Sequence, residues 1–241
     1  MLVALNCDMG ESYGLYRLCD DEAMMPLIGI ANVACGFHAS DPSVMRRTVA
    51  LAKRHGVKVG AHPSLPDLQG FGRREMKMEH DELVACLIYQ VGALKGFLDA
   101  EGLRLNHIKP HGALYGMAAR SAEIARAIAE AARPFAVPLF GMAGTEHERV
   151  YSGAGIPFVS EFYADLDYDQ TGRLIITREH TAVDPAAAAR RVVRAIREGK
   201  AHSAEGPDIT VRADSVCVHS DTPGAVALAK AVGAAIGAIP G

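Results

Sequence analysis

Residues 106–115 read Asn106-His107-Ile108-Lys109-Pro110-His111-Gly112-Ala113-Leu114-Tyr115. The run 106–109 is a strand candidate. Pro110 ends it, because a residue without an N–H cannot extend a central strand. The strand therefore delivers a lysine and a histidine side by side at its carboxyl end. Six further short runs share this character, at residues 2–6, 28–32, 57–60, 138–141, 158–161 and 215–218. They are four or five residues long and mostly apolar, as buried parallel strands are.

Helical segments alternate with these runs. Residues 82–100 carry Val84, Leu87, Ile88, Val91, Leu94 and Leu98 at spacings of three and four. Residues 42–54 repeat the rhythm with Val44, Thr48 and Leu51, and residues 185–197 with Ala188, Val192 and Ile196. Asp41-Pro42, Asp184-Pro185 and Thr222-Pro223 each read as an N-cap followed by proline at the first helical position. About seven β-then-α units result, which implies a parallel sheet. A seven-stranded barrel and an open doubly wound sheet both satisfy that pattern, and we take the barrel. Residues 164–178 look like an insertion, with a turn at Gly172 and an extra strand at 174–177. Residues 201–212 read as irregular. No linker divides the chain, so residues 1–241 are expected to form one domain.

Composition removes several function classes. The chain is 49% apolar and 22% charged, enough apolar surface for a large core. Its net charge of −3 offers no basic footprint for nucleic acid. Segment 225–239 is the nearest approach to a membrane span, but Lys230 interrupts it. Residues 1–11 lack a basic n-region and read as no signal peptide. Five cysteines without a Cys-x-x-Cys pair suit free thiols in a reducing cytoplasm.

Polar residues gather at or just beyond the ends of the strand candidates: Asp8 and Glu11 after the first, His38 after the second, His62 after the third. Lys109 ends the fourth and His111 follows it, Glu161 ends the sixth with Asp165 close behind, and His219 follows the last. Parallel α/β folds place ligands at the carboxyl ends of their strands, so these residues are expected to share one mouth. Asp41 reads as a cap, and Arg212 and Asp214 as structural. His55, His80 and His147 read as solvated, His180 and His202 as bland, and His107 as a core histidine. The loop Gln69-Gly70-Phe71-Gly72-Arg73-Arg74 offers arginines to an anion. No P-loop, dinucleotide fingerprint or G-x-S-x-G elbow occurs.

The segments LNCDMGESYG (5–14), ANVACGFHASDPSVMRR (31–47), GAHPSLPDLQGFGRR (60–74), IKPHGALY (108–115) and VRADSVCVHSDTPGAV (211–226) resemble the LamB/YcsF family. The resemblance runs over nearly the whole chain. It implies an irregular (βα)7 TIM-like barrel of the glycoside hydrolase/deacetylase type. It also implies ATP-dependent opening of 5-oxoproline to glutamate, with ATP as co-substrate and with two partner subunits, B and C. Carried over as catalytic are Asp8, Glu11, His38, His62, Lys109, His111 and Glu161. Asn6, Arg73, Asp165 and His219 are expected to bind substrate. No metal ligand is assigned, and a requirement for a divalent metal is left open, as is a homo-oligomer. Leu166 stands where the family pattern has arginine, which removes one anion contact.

In this reading Asp8 or Glu161 activates water, a histidine among His38, His62 and His111 protonates the leaving nitrogen, and Lys109 holds a carboxylate or oxyanion. The alternatives are a metal-dependent amide or acetyl-sugar deacetylase, for which the Asp and His set would suit zinc, and a non-catalytic scaffold in a larger complex.

Overall fold

The computed structural model describes residues 3–177 and 179–239. Leu2, the start of the first expected strand, and Arg178, the end of the expected insertion, lie outside them. The strands are β1 (Ala4–Met9), β2 (Ile30–Ala34), β3 (Lys58–His62), β4 (Leu105–Ile108), β5 (Leu139–Gly141), β6 (Phe158–Tyr163), β7 (Lys200–His202), β8 (Asp208–Thr210) and β9 (Ser215–His219). The α-helices are α1 (Asp21–Met24), α2 (Pro42–His55), α3 (His80–Ala100), α4 (Gly112–Arg120), α5 (Ala122–Ala132), α6 (Glu146–Gly153), α7 (Pro185–Glu198) and α8 (Ala225–Gly237).

Seven parallel strands close into a barrel in the order β1-β2-β3-β4-β5-β6-β9. The first strand pairs with both β2 and the last strand, Asp8 lying opposite Asn32 on one side and His219 on the other. The helices bury the outer face of the barrel. In α3, Leu83, Leu87, Val91, Leu94 and Leu98 all join the core. By length and composition α3 is also apolar enough to cross a membrane, although that same face is packed on the barrel.

The seven expected strands are present, but most run further than the apolar pattern suggests. The first reaches Met9 and not Asn6, the third reaches His62 and not Gly60, and the sixth reaches Tyr163. Polar residues can continue these strands because they point into a barrel interior that supplies them with partners. Asp41 caps α2 and Asp184 caps α7, as expected, each accepting two backbone N–H groups. Thr222 does not cap: α8 starts at Ala225 behind a left-handed Gly224. The Thr222 hydroxyl donates instead to Asp165, at 3.1 Å. The expected strand at 174–177 reduces to one antiparallel bridge, Tyr168 with Leu174, around the Gly172 turn. The irregular reading of 201–212 is also corrected. Residues in that stretch form the antiparallel hairpin β7–β8.

Candidate active site

Inside the barrel, side chains stack in two polar layers. The lower one is a neutral network. His107 Nε2 donates to Asn32 Oδ1 at 2.7 Å, Asn32 Nδ2 donates to Asn6 Oδ1 at 2.8 Å, and Asn6 Nδ2 donates to Ser215 Oγ at 2.8 Å. The His107 ring stacks on Phe140 and fills the space that Gly60 leaves, where a Cβ would meet the ring at 2.0 Å. His107 is thus the core histidine expected. Asn6 belongs to this layer and does not line the pocket above it.

The upper layer, at the carboxyl ends of the strands, is charged. Lys109 Nζ lies 2.9 Å from Asp8 Oδ1, 3.1 Å from Glu161 Oε1 and 3.1 Å from Cys217 Sγ, and only 1% of the residue is exposed. Burial alone would discharge this amine, but Asp8, Cys217 and Glu161 hold its pKa well above the ordinary lysine value. Burial would likewise raise Asp8, yet His62 and Lys109 together keep its carboxyl well below the usual range. Tyr163 completes the cluster by donating its hydroxyl to Glu161 Oε2 at 2.8 Å.

Two histidine groups flank Asp8. On one side His219 Nε2 stands 3.6 Å from Asp8 Oδ2, while its Nδ1 meets Asp165 Oδ1 at 3.0 Å. Burial would lower the His219 pKa, but Asp165 reverses this and raises it. Asp165 also accepts the His219 backbone N–H at 2.8 Å and is itself held low by the same histidine, against the effect of burial. On the other side His62 Nε2 stands 3.2 Å from Asp8 Oδ2 and 2.9 Å from His111 Nδ1. His38 stacks flat on His111, ring centroids 3.7 Å apart, and its Nε2 is 3.0 Å from Glu11 Oε1. Burial, followed by neighbouring imidazoles, holds His38 and His111 well below the ordinary histidine pKa. Burial, reinforced by Asp8, pushes Glu11 well above the ordinary carboxylate pKa.

The loop after β3 closes over this group. Gly72 sits at φ +64°, and a Cβ there would lie 2.2 Å from Ser64 Oγ and 2.8 Å from His111 Cδ2. A glycine is required at that position on both counts. Gln90 of α3 clamps the same loop by accepting the Ser64 N–H and donating to the Ser64 carbonyl.

A pocket of about 330 Å³, counted out to its open mouth, rises above these residues. Asp8, His62, Arg73, Lys109, His111 and His219 line it. Glu11, His38 and Glu161 stand directly behind that lining, and Asp165 stands behind His219. Of the two loop arginines, Arg73 faces the pocket and pairs with Asp221 at 2.8 Å, while Arg74 turns outward onto Asp67. Leu166, Leu174 and Ile176 from the insertion supply an apolar wall.

The strand-end pattern leaves several lining or supporting residues unassigned. Tyr163 and Cys217 lie two positions from Glu161 and His219, so the period-2 alternation of a strand already places them on the inner face. His180 carries no such signal. Its irregular segment brings Nδ1 to 3.0 Å from Asp221 and its ring to 4.7 Å from His219, correcting the bland reading. His147, expected to be solvated, is fully buried against Tyr151.

Comparison with known proteins gives consistent matches. The model of the LamB/YcsF family matches residues 3–239. A Pseudomonas aeruginosa protein, named as an A subunit of 5-oxoprolinase, is 50% identical over 230 residues, 94% of this chain and 91% of that protein. A lactam utilization protein, lamB, from Emericella nidulans is 48% identical over 94% of this chain and 90% of its own length. The crystal structure of a lactam utilization protein from Thermus thermophilus superposes with a TM-score of 0.91 at 46% identity, covering 98% of this chain and 96% of that one.

Proposed function

The chain belongs to the LamB/YcsF family, and from that premise we propose that it is the A component of an ATP-dependent 5-oxoprolinase. It hydrolyses a cyclic amide, turning 5-oxoproline and water into glutamate. The observation that supports this most directly is the meeting of Asp8, Lys109, His62, His111 and His219 around one small pocket. The relatives' names mark them as one component of a multi-subunit enzyme. We assign the remaining parts to subunits B and C.

A five-membered lactam is a resonance-stabilised amide, so water attacks its carbonyl slowly and the ring nitrogen leaves only with a proton. Transfer of a phosphoryl group from ATP to the amide oxygen makes the carbon electrophilic. This chain has no P-loop, and we place that transfer on the partner subunits. Water then adds to the carbon, its proton passes to a base, and the C–N bond breaks as nitrogen is protonated, which leaves the freed carboxyl as an acyl phosphate; a second water displaces inorganic phosphate and gives glutamate.

Asp8 is the base in this scheme, because the cations around it keep it ionised. Lys109 maintains that state, since its ammonium is enclosed by carboxylates and does not reach for the substrate. His219, held toward its charged form by Asp165, is the proton donor to nitrogen. This choice differs from the imidazoles expected first, as burial keeps His38 and His111 neutral. Arg73 receives the substrate carboxylate at the pocket wall. The test is glutamate formation by Asp8→Asn with all three subunits present. Loss of a general base predicts a fall in kcat of about 10²–10⁴-fold. Undiminished turnover by a folded variant removes Asp8 from the chemistry.

A further inference from the structure

The facing nitrogens of His62 and His111 pose a problem that their other nitrogens define. His62 Nδ1 lies 2.8 Å from the Lys109 carbonyl oxygen, and His111 Nε2 lies 2.7 Å from the Phe71 carbonyl oxygen. A carbonyl only accepts, so each of those nitrogens carries the hydrogen. In the neutral rings His62 Nε2 and His111 Nδ1 are therefore both bare lone pairs. They point at each other across 2.9 Å. Asp8 Oδ2, 3.2 Å from the same His62 nitrogen, adds another acceptor. A cation has to sit among these atoms, either a proton or a metal ion.

We propose that Glu11, His62 and His111 bind a divalent transition-metal ion of the zinc class. The ligand atoms of Glu11, His38, His62 and His111 all lie within 4.8 Å of one another. The separations of 2.9 Å between the two imidazole nitrogens and 3.5 Å between Glu11 Oε1 and His111 Nδ1 bracket the roughly 3.3 Å edge of a tetrahedron whose metal–ligand bonds are about 2.0–2.1 Å. Both histidines have the outer arrangement of metal ligands, a second nitrogen anchored to a backbone carbonyl that fixes tautomer and ring direction. Two imidazoles and a carboxylate suit zinc and its neighbours better than magnesium or calcium.

His38 is excluded as a fourth ligand by its geometry. Its ring is parallel to His111 within 5° and stacked at 3.7 Å, so one ion cannot lie in both ring planes. It instead donates Nε2–H to Glu11 Oε1 at 3.0 Å and orients that carboxylate. Three protein ligands then leave one position open toward the pocket that His62 and His111 line. The neighbouring group of Asp8, Cys217 and His219 needs no ion, because the Lys109 ammonium already fills it. The inference stands apart from the lactam reading. It rests on lone-pair directions and holds whatever the substrate is.

The test is metal retention by the full chain, stripped with chelator and dialysed against Zn²⁺ or Co²⁺. One ion per chain should survive gel filtration, and bound Co²⁺ should show the intense visible bands of a four-coordinate site. Glu11→Gln, His62→Gln and His111→Gln should each lose the ion. His38→Gln should retain it about 10–100-fold more weakly, as loss of an outer partner does. Thermal melting of each apo variant separates lost binding from lost folding. A folded wild type that retains no ion overturns the proposal; nitrogen NMR would then show a doubly protonated imidazole as the cation between the rings. Retention unaffected by the Gln variants of Glu11, His62 and His111 overturns it equally.

Discussion

Two layers of one barrel, a few ångströms apart and equally buried, handle polarity in opposite ways. In the lower layer Asn6, Asn32, His107 and Ser215 hand hydrogen bonds along a neutral chain in which each donor has an acceptor. In the upper layer two carboxylates crowd one ammonium, and imidazole lone pairs face one another. A satisfied neutral network rigidifies a core. A crowded charged one shifts the pKa values of its members, which is what acid–base and metal chemistry need. The difference supports placing the proposed chemistry in the upper layer, with the lower one as its floor.

The largest test of that contrast is Lys109→Met. The substitution leaves Asp8 and Glu161 buried beside each other without the ammonium that both contact. Stranding a buried charge by removing its partner costs about 3–5 kcal/mol. For a chain of this size each kcal/mol moves Tm by about 2–4 °C, so melting should fall by roughly 6–20 °C. Adding Asp8→Asn to Lys109→Met should then cost less than Asp8→Asn does alone, since one stranded charge is gone. A double-mutant cycle reads that coupling. Additive losses would mean that the two side chains do not share the charge.

A smaller effect is expected in the floor. Asn6→Ala breaks two hydrogen bonds of the neutral chain, and an orphaned buried group costs about 1–3 kcal/mol. Denaturant unfolding should show that loss, while KM for 5-oxoproline stays unchanged in the three-subunit assay. A raised KM with unchanged stability would move Asn6 from the floor to the substrate.

The two layers are not equally legible in the sequence. Short runs, helical rhythm and the Asp-Pro caps are enough to number the barrel strands, because those signals are local. The upper layer follows from a topological rule, that strand ends share a rim, and the rule gathers Asp8, His62, Lys109, His111 and His219 correctly. What the rule cannot supply is depth. The apolar pattern stops where Asp8 and His62 begin, so both look like loop residues. Their strand conformation depends on partners contributed by distant parts of the chain, Asn32 and His219 for Asp8 and Ala34 for His62. His180 and His147 escape a sequence reading for the same reason: a histidine is placed by whatever packs against it, and no neighbour in sequence records that. The Thr222-Pro223 pair misleads because its hydroxyl meets Asp165, a tertiary partner that outcompetes the local cap.

The subtlest prediction concerns Asp165 and His219, where the floor's economy of hydrogen bonds meets the rim's charge. Asp8, Lys109, His180 and Tyr163 also face this histidine. The His219 pKa is raised in the folded protein, so its contribution to stability is full below the unfolded value of about 6.5 and is lost as pH rises through the folded value. The Asp165 pKa is lowered, so its contribution is present above about 3.9 and fades as pH falls through its folded value. The pair therefore stabilises most between about pH 3.9 and 6.5. Asp165→Asn keeps an acceptor for Nδ1–H but removes the charge. The melting difference between wild type and variant should be widest in that window and narrow on the alkaline side. In the assay the alkaline limb of kcat/KM should move to lower pH, because the proton donor then loses its proton sooner. A limb that stays in place while the melting difference behaves as described would keep the pair as structure and hand the donor's role to another group.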